Sequence, residues 1–381
     1  MFLLYHKKTP HKSVFHLFLA RIKVRCTIRC MILPHNIYIH VPFCMSKCRY
    51  CAFFSHACAT PDWDGYTDAI IDEIEFWAGK LGRIAVPTIF FGGGTPSLMP
   101  IKYFDKIVAK IHQCFDVAPD SEITIESNPG TIDEIKMRDF QSMGVNRISI
   151  GVQSLDDVRL KYLGRRHSVS DAIDAIKIAQ KLNLRVSGDF IYGLPGDSVS
   201  DIVKMCQNIN SLGLQHCSLY ELMIEPTTPI GRENPQMPTN DEMADMYNAI
   251  GDTLNLPRYE VSNYATHDAH CQHNENIWDG APYIGIGRGA AGRVFYKDTW
   301  FEQMGAYEKF EAIDSDTRAI EKLITGLRTV RGTNLTDDVK RVINMDAVRN
   351  MSDLVQMENN RIFVTTKGML VLDDILVKIA G

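Results

Sequence analysis

The sequence predicts an α/β chain: a partial (β/α)6 barrel followed by a smaller C-terminal α+β domain of winged-helix type. Two observations predict the barrel: from Asn36 onward short apolar runs alternate with amphipathic segments, and about six such units follow in series. A third predicts the second domain: after Leu222 the alternation stops, and the chain turns helical before one late strand-and-turn segment.

The strands are expected at Asn36–Val41, Thr88–Phe91, Glu122–Glu126, Arg147–Val152, Arg185–Ile191 and His216–Leu222. Between the first two, Tyr66, Ile70, Ile74, Trp77 and Leu81 recur at spacings of four and three, so they line one helix face. Thr60-Pro61 marks its start, because proline early in a helix gives up an amide that has no partner there. Thr131-x-x-Glu134 reads as a capping box and Ser198-x-x-Asp201 as another acidic helix start. Pro226, Pro229, Pro235 and Pro238 punctuate a link, and a helix follows near Asp241–Leu254. Residues 226–300 are read as this link plus a motif-dense stretch, and 301–381 as the second domain, with Arg361–Thr365 as the wing strand. The barrel itself is assigned to 32–225.

The first thirty residues stand apart. Lys7, Lys8, Lys12, Arg21, Lys23, Arg25 and Arg29 occur there with no acidic residue. A transit-like peptide, a basic arm, and translation from a start upstream of a natural Met31 all fit; the last is preferred. The net charge of −5 gives no general reason to expect a nucleic-acid partner. No apolar run is long enough to predict a membrane span, which leaves peripheral membrane contact open. Ten cysteines in a chain of 381 residues are unevenly spread. Three lie within eight residues, which points to a metal site in a reducing compartment rather than to a disulfide framework.

Those three are Cys44, Cys48 and Cys51, a C-x3-C-x2-C triplet placed directly after the first strand. Thiolates are the ligands iron–sulfur clusters take, and three of them leave the fourth iron of a cubane open. Loops after the C-terminal ends of barrel strands are also where barrel enzymes place their chemistry. A zinc site completed by Cys58 is the competing metal reading, and simple packing of three cysteines the structural one. Gly92-Gly93-Gly94-Thr95-Pro96 follows the second strand, where glycines let backbone approach a ligand closely. Polar residues recur at or just past later strand ends, Glu126 and Gln153 in Gly151-Val-Gln-Ser, while Asp189 in Asp189-Phe-Ile-Tyr-Gly-Leu-Pro195 lies within its strand. Arg165 is expected in a helical connection. Singly, each of these reads equally as a cap or a barrel-interior residue.

The triplet, with Tyr50 before its last cysteine, resembles the hallmark of radical S-adenosylmethionine (SAM) proteins. The resemblance implies a [4Fe-4S] cluster on the three cysteines that cleaves SAM reductively, with an electron donor as partner. It also implies SAM contacts from Tyr38, Tyr50, Gly93, Gly94, Thr95, Glu126, Gln153, Arg165 and Asp189. Across residues 36–381 the match is nearest the branch holding oxygen-independent coproporphyrinogen III oxidases and the related haem chaperones. Ile191–Gly196, Leu219–Glu225 and Tyr259–Ala265 carry it. True oxidases of that branch add a fourth cysteine two residues after the triplet, where this chain has Phe53. The chaperones carry an H-N-x-x-Y-W motif, which here reads His273-Asn-Glu-Asn-Ile277-Trp278 after Cys271. Ile277 stands where tyrosine is usual and Ala291 where histidine is common.

The leading expectation is therefore a cytoplasmic haem chaperone, or a mitochondrial one if residues 1–30 are a transit peptide. It would bind haem as cargo beside SAM and the cluster, and deliver it to acceptor haemoproteins. Oxidative decarboxylation of coproporphyrinogen III is the alternative. His273 is the expected haem ligand, neutral imidazole suiting iron. The bland readings of that stretch are a satisfied buried polar pair of His273 and Asn274, or zinc on His267, His270, Cys271 and His273.

Overall fold

All six expected runs form strands in the computed structural model, which describes residues 33–304 and 309–380. They are β1 (Asn36–Val41), β2 (Ala85–Gly93), β3 (Asp116–Ser127), β4 (Arg147–Gln153), β5 (Arg185–Tyr192) and β6 (His216–Glu221). Each pairs in parallel with the next. Parallel neighbours need long crossovers. Helices α1 (Trp63–Leu81), α2 (Ile101–Cys114), α3 (Glu134–Ser142), α4 (Asp157–Leu163), α5 (Val169–Lys181) and α6 (Val199–Ser211) supply them. The basic segment 1–30 lies outside the described residues.

Strand periodicity divides the side chains into two sets. On β1, Ile37, Ile39 and Val41 join the large apolar core shared with the helices, including Ile70, Ile74, Trp77 and Leu81 of α1. Tyr38 and His40 alternate with them and turn toward the barrel axis, as Glu122, Thr124 and Glu126 do on β3. The barrel axis is thus lined with polar groups while the outer face is apolar, and this positions the site.

Helix α1 begins at Trp63, capped by Asp62, whose Oδ1 accepts from the Gly65 amide at 3.0 Å. That carboxylate, one residue past Thr60-Pro61, is the better partner for the free amides. At α6 the acidic start is a full reciprocal capping box of Ser198 and Asp201. Thr131 does not cap α3: it closes a short 3-10 turn with Asn128, and Asp133 caps α3 by accepting from Lys136 N. Strand β3 starts at Asp116 rather than Glu122. Its first residues are mostly exposed and lack an apolar pattern, and they extend only because Asp116 and Val117 pair with Ala85 and Val86.

The stretch 226–300 does more than link. It holds α7 (Pro229–Glu233), α8 (Asn240–Thr253) and α9 (Gln272–Trp278), and strands at both sheet ends. Beside β6 runs an antiparallel β7 (Asn263–Ala265). Beside β1 runs a seventh parallel strand, β8 (Tyr283–Ile286). Antiparallel β9 (Ala291–Tyr296), β10 (Thr299–Met304) and β11 (Phe310–Ile313) continue outward from it. The two sheet edges, β11 and β7, do not pair, so the barrel is open.

The remaining chain builds its own apolar core around Leu323, Leu327, Ile362 and Ile375. Helix α10 (Ser315–Leu327) leads into β12 (Thr333–Asn334), α11 (Asp337–Val342) and α12 (Met345–Asn350). A hairpin of β13 (Val355–Glu358) and β14 (Arg361–Val364) follows, then α13 (Thr366–Met369) and α14 (Leu372–Ile379). Asn359 and Asn360 both take positive φ (51° and 59°) in the two-residue turn of this wing, the geometry of a tight hairpin. Among the described residues, no helix is long and apolar enough to cross a membrane.

Candidate functional site

The cysteine triplet lies on a loop closed at its base. Phe43–Cys44 pairs with His56–Ala57, and Cys58 N donates to Cys44 O at 2.9 Å, so residues 45–55 project as one turn beyond β1. Cys44 is buried; Cys48 and Cys51 are partly exposed. Burial pushes the Cys51 thiol up, with the Phe53 backbone pulling the other way and the Cys48 and Cys44 thiols adding to the rise. Donors are aimed at two of them: Arg165 Nη1 is 3.3 Å from Cys48 Sγ, and the Thr95 hydroxyl 3.6 Å from Cys44 Sγ.

Among the described residues, no three His, Cys, Asp or Glu side chains converge as a single metal ion would require. Neither Cys58 nor the His267–His273 group forms part of such a set. A cubane makes a different demand, since each thiolate binds its own iron. Three cysteines on one projecting loop, two of them with an N–H or O–H donor at the sulfur, are the candidates for it.

Below the loop the strand ends form a cradle. Gly93, at φ +114°, donates its amide to Glu126 Oε2 at 3.0 Å. A Cβ on Gly94 would lie 2.7 Å from the Phe43 carbonyl and 3.0 Å from Cys44 Sγ, so only glycine lets β2 pass the cluster loop this closely. Asn128 Nδ2 holds the Thr95 hydroxyl at 3.0 Å. The Tyr38 hydroxyl meets His40 Nδ1 at 3.0 Å, and the other imidazole nitrogen donates to Phe54 O at 2.7 Å. His40 therefore joins the cradle to the far end of the cluster loop.

Two carboxylates face the barrel axis. Burial, then the charge of Asp189, pushes Glu126 up to about 7. Burial likewise raises Asp189, which accepts from Ser149 Oγ at 2.7 Å and Ser187 Oγ at 3.2 Å. Both groups sit where a cationic or hydroxyl-bearing ligand would relieve the cost of their ionisation.

Arg165 lies in the helical connection between α4 and α5: Gly164 takes the left-handed C-cap of α4, and the chain turns inward after it. The guanidinium bonds Asn128 Oδ1 and, at 2.8 Å, Gly151 O, while its Nε has no partner. Tyr50 packs against Leu163, Ile191 and Leu222 beside this arginine. Gln153 ends β4 at φ +67°, a left-handed turn that nothing in its residue type announces. Tyr38, Tyr50, Gly93, Gly94, Thr95, Glu126, Arg165 and Asp189 thus gather around the open end of the barrel, with Gln153 at its β4 rim.

His273 sits elsewhere. Only 2% exposed, it lies at the barrel floor, against Thr88 of β2 and Glu122 of β3. Its amide donates to Glu122 Oε1 at 2.9 Å, and its Nδ1 meets Thr88 Oγ1 at 2.7 Å. Thr88 gives its own proton to Asn36 Oδ1, so Nδ1 of His273 is the donor and Nε2 is left as a bare, buried acceptor. Burial, then the charge of Arg147, holds this imidazole down to about 3. The ring packs on Phe90 with centroids 5.1 Å apart and presents no edge to solvent. It has the free nitrogen an iron would need, sealed inside the protein. Trp278 packs beside Tyr259, and Ile277 and Ala291 are partly buried.

Residues missed from the sequence are His40, Asn128 and Glu122. His40 had a usable signal, being two positions from Tyr38 on one strand face.

The family model of the radical SAM superfamily matches residues 38–209. A protein named heme chaperone HemW, from Escherichia coli strain K12, is 38% identical over 270 residues, covering 70% of this chain and 71% of that protein. The chain belongs to the HemW family of radical SAM proteins. A HemW from Synechocystis is 32% identical over 331 residues, 79% of each chain. A Danio rerio relative, radical S-adenosyl methionine domain-containing protein 1, mitochondrial, is 35% identical over 68% of this chain and 60% of its own length. Among solved structures, coproporphyrinogen III oxidase (HemN) from Escherichia coli superposes with a TM-score of 0.77 at 19% identity, over 91% of this chain and 89% of that one. That likeness confirms the radical SAM barrel and its C-terminal extension as a fold.

Proposed function

We propose that this chain is a haem chaperone, which binds haem beside a [4Fe-4S] cluster and SAM and passes it to acceptor haemoproteins. One observation carries the reading: 38% identity with a HemW over 270 residues. Phe53, where the oxidases have their additional cysteine, agrees with it, being 56% exposed on the cluster loop. Cys44, Cys48 and Cys51 would hold the cluster, which when bound supplies an electron to SAM. Glu126 and Asp189 would take the positively charged and hydroxyl groups of SAM, and Arg165 its carboxylate. Gly93 and Gly94 keep the wall of the cradle low enough for it.

The reading also calls for an external electron donor and an acceptor haemoprotein. A reducing compartment suits it, either the cytoplasm or the mitochondrion; the eight described cysteines are all free, and the Danio rerio and Bos taurus relatives are described as mitochondrial. Ligation of haem by His273 would require α9 to leave Glu122. A substitution there separates the two haem questions: His273→Ala should abolish the haem spectrum if that ring is the ligand and leave it intact if haem docks elsewhere.

Anaerobically reconstituted protein should shift the Soret band of haem at micromolar concentration and then transfer it to an apo-haemoprotein. Absence of both overturns the reading. Conversion of coproporphyrinogen III to protoporphyrinogen IX by the same preparation would assign it to the oxidases instead.

A further inference from the structure

A chain of hydrogen bonds runs from the SAM cradle through the barrel to its floor. Ser187 Oγ lies 3.2 Å from Asp189 Oδ1, and His216 Nδ1 is 2.7 Å from Ser187 Oγ. His216 Nε2 is 2.7 Å from the Tyr259 hydroxyl, which lies 3.3 Å from the amide of Cys271, the N-cap of α9. His216 and Tyr259 are buried, and Ser187 has no exposure.

The donors in this chain have one consistent direction. The Asp189 carboxylate can only accept, so Ser187 donates to it and must itself accept from His216 Nδ1; Nε2 then accepts the Tyr259 proton, while the Tyr259 oxygen accepts from the Cys271 amide. The imidazole is then neutral with its proton on Nδ1, which it gives to Ser187, and Ser187 donates to the carboxylate. Burial, then the positive charge of Arg147, keeps His216 neutral, in agreement with that assignment. Every link points at Asp189. A run of aligned dipoles ending on a carboxylate strengthens each bond in it and fixes the carboxylate's orientation.

The floor end is also anchored. Glu122 accepts from the amides of Gln272 and His273 at 3.1 and 2.9 Å, and His270 stacks on the Tyr259 ring at 4.0 Å. The tyrosine therefore has one defined place for its hydroxyl.

We propose that His216 and Tyr259 are positioning residues for SAM, acting through Asp189 to hold its carboxylate in the cradle. The proposal rests on the assignment of that cradle to SAM. It gives the Tyr259–Ala265 segment and the start of α9 a part in cofactor binding, although neither reaches the cradle.

The test is SAM affinity, read as the change in the EPR spectrum of the reduced, cluster-loaded protein on titration with SAM. Tyr259→Phe keeps the ring and removes the hydroxyl; it should weaken SAM about fivefold, the effect of losing one hydrogen bond, with iron content per chain unchanged. Ser187→Ala breaks the chain at its last link and should give the same loss even if the tyrosine variant folds poorly. In an Asp189→Ala background, Tyr259→Phe should change affinity by less than twofold, because the group it acts through is gone. An equal loss in both backgrounds, or no loss from either variant in the wild-type background, overturns the proposal. Wild-type protein whose spectrum ignores SAM would overturn the cradle assignment as well, whereas tight wild-type binding with indifferent variants sinks the relay alone.

Discussion

Glu126 offers the sharpest quantitative check on the cradle. Its carboxyl, ordinarily near 4.5, is pushed up to about 7 by burial and by Asp189, with the Gly93 amide pulling the other way. In the unfolded chain the same group ionises near 4.5, so between these two pH values the unfolded state has lost a proton that the folded state keeps. Stability contributed by the protonated carboxyl is complete below 4.5 and is lost as pH rises through about 7. At about 1.4 kcal/mol for each pH unit, the whole change is about 3 kcal/mol. Glu126→Gln retains a carbonyl for the Gly93 amide but cannot ionise. Without SAM, the variant should therefore be more stable than wild type by up to about 3 kcal/mol at pH 8, and the two should converge toward pH 5. Denaturant midpoints of cluster-free protein, where unfolding is not tied to metal loss, measure this directly. SAM affinity should move the opposite way, falling in the variant because a cationic ligand loses its counter-charge. Stability curves that stay parallel from pH 5 to 8 would refute the placement of Glu126 in a desolvated pair with Asp189.

Two further outcomes follow from the cluster loop. Gly94→Ala pushes a methyl toward a backbone carbonyl 2.7 Å away, which cannot swing aside, so it should cost about 1–3 kcal/mol in stability and reduce iron incorporated on reconstitution. Replacing Cys44, Cys48 or Cys51 by serine should abolish cluster absorbance, whereas Cys58→Ser should leave iron and sulfide content at the wild-type level; equal loss from Cys58→Ser would return it to the ligand set.

The barrel was legible because its strands face an apolar helix layer on one side and a polar axis on the other, and the apolar residues are long enough in number to mark each run. β1 matches from end to end. What escaped had no such pattern. The first six residues of β3 are held by pairing with β2 alone, and β8, only four residues long between Pro282 and Gly287, looks like a glycine-rich motif until β1 is seen beside it. Site chemistry was legible in the same uneven way. Residue types at strand ends identify cradle groups because the strand fixes where its end points. Depth is not encoded there: nothing local to Gln272–Trp278 says that Glu122, some 150 positions earlier, accepts the first amides of α9 and draws His273 inside.

That difference in depth bears on how the two distinguishing features of the chain relate. Phe53 is exposed beside the cluster, past the C-terminal end of β1, whereas His273 bonds Thr88 near the start of β2. From Thr88 to Gly93 is five residues, roughly 16 Å of strand at ~3.3 Å each. A haem plane held near Phe53 and an iron bound by His273 therefore cannot belong to one rigid site in this conformation. Either the cargo docks at the open end, on side chains other than this histidine, or α9 withdraws from the floor and opens a second approach. The bare Nε2 of His273 keeps the second route chemically meaningful, since a buried acceptor without a partner carries a cost of about 1–3 kcal/mol that binding an iron would relieve. Amide exchange across Cys271–Trp278 separates the two: haem should leave protection of these amides unchanged in the first case and lower it in the second.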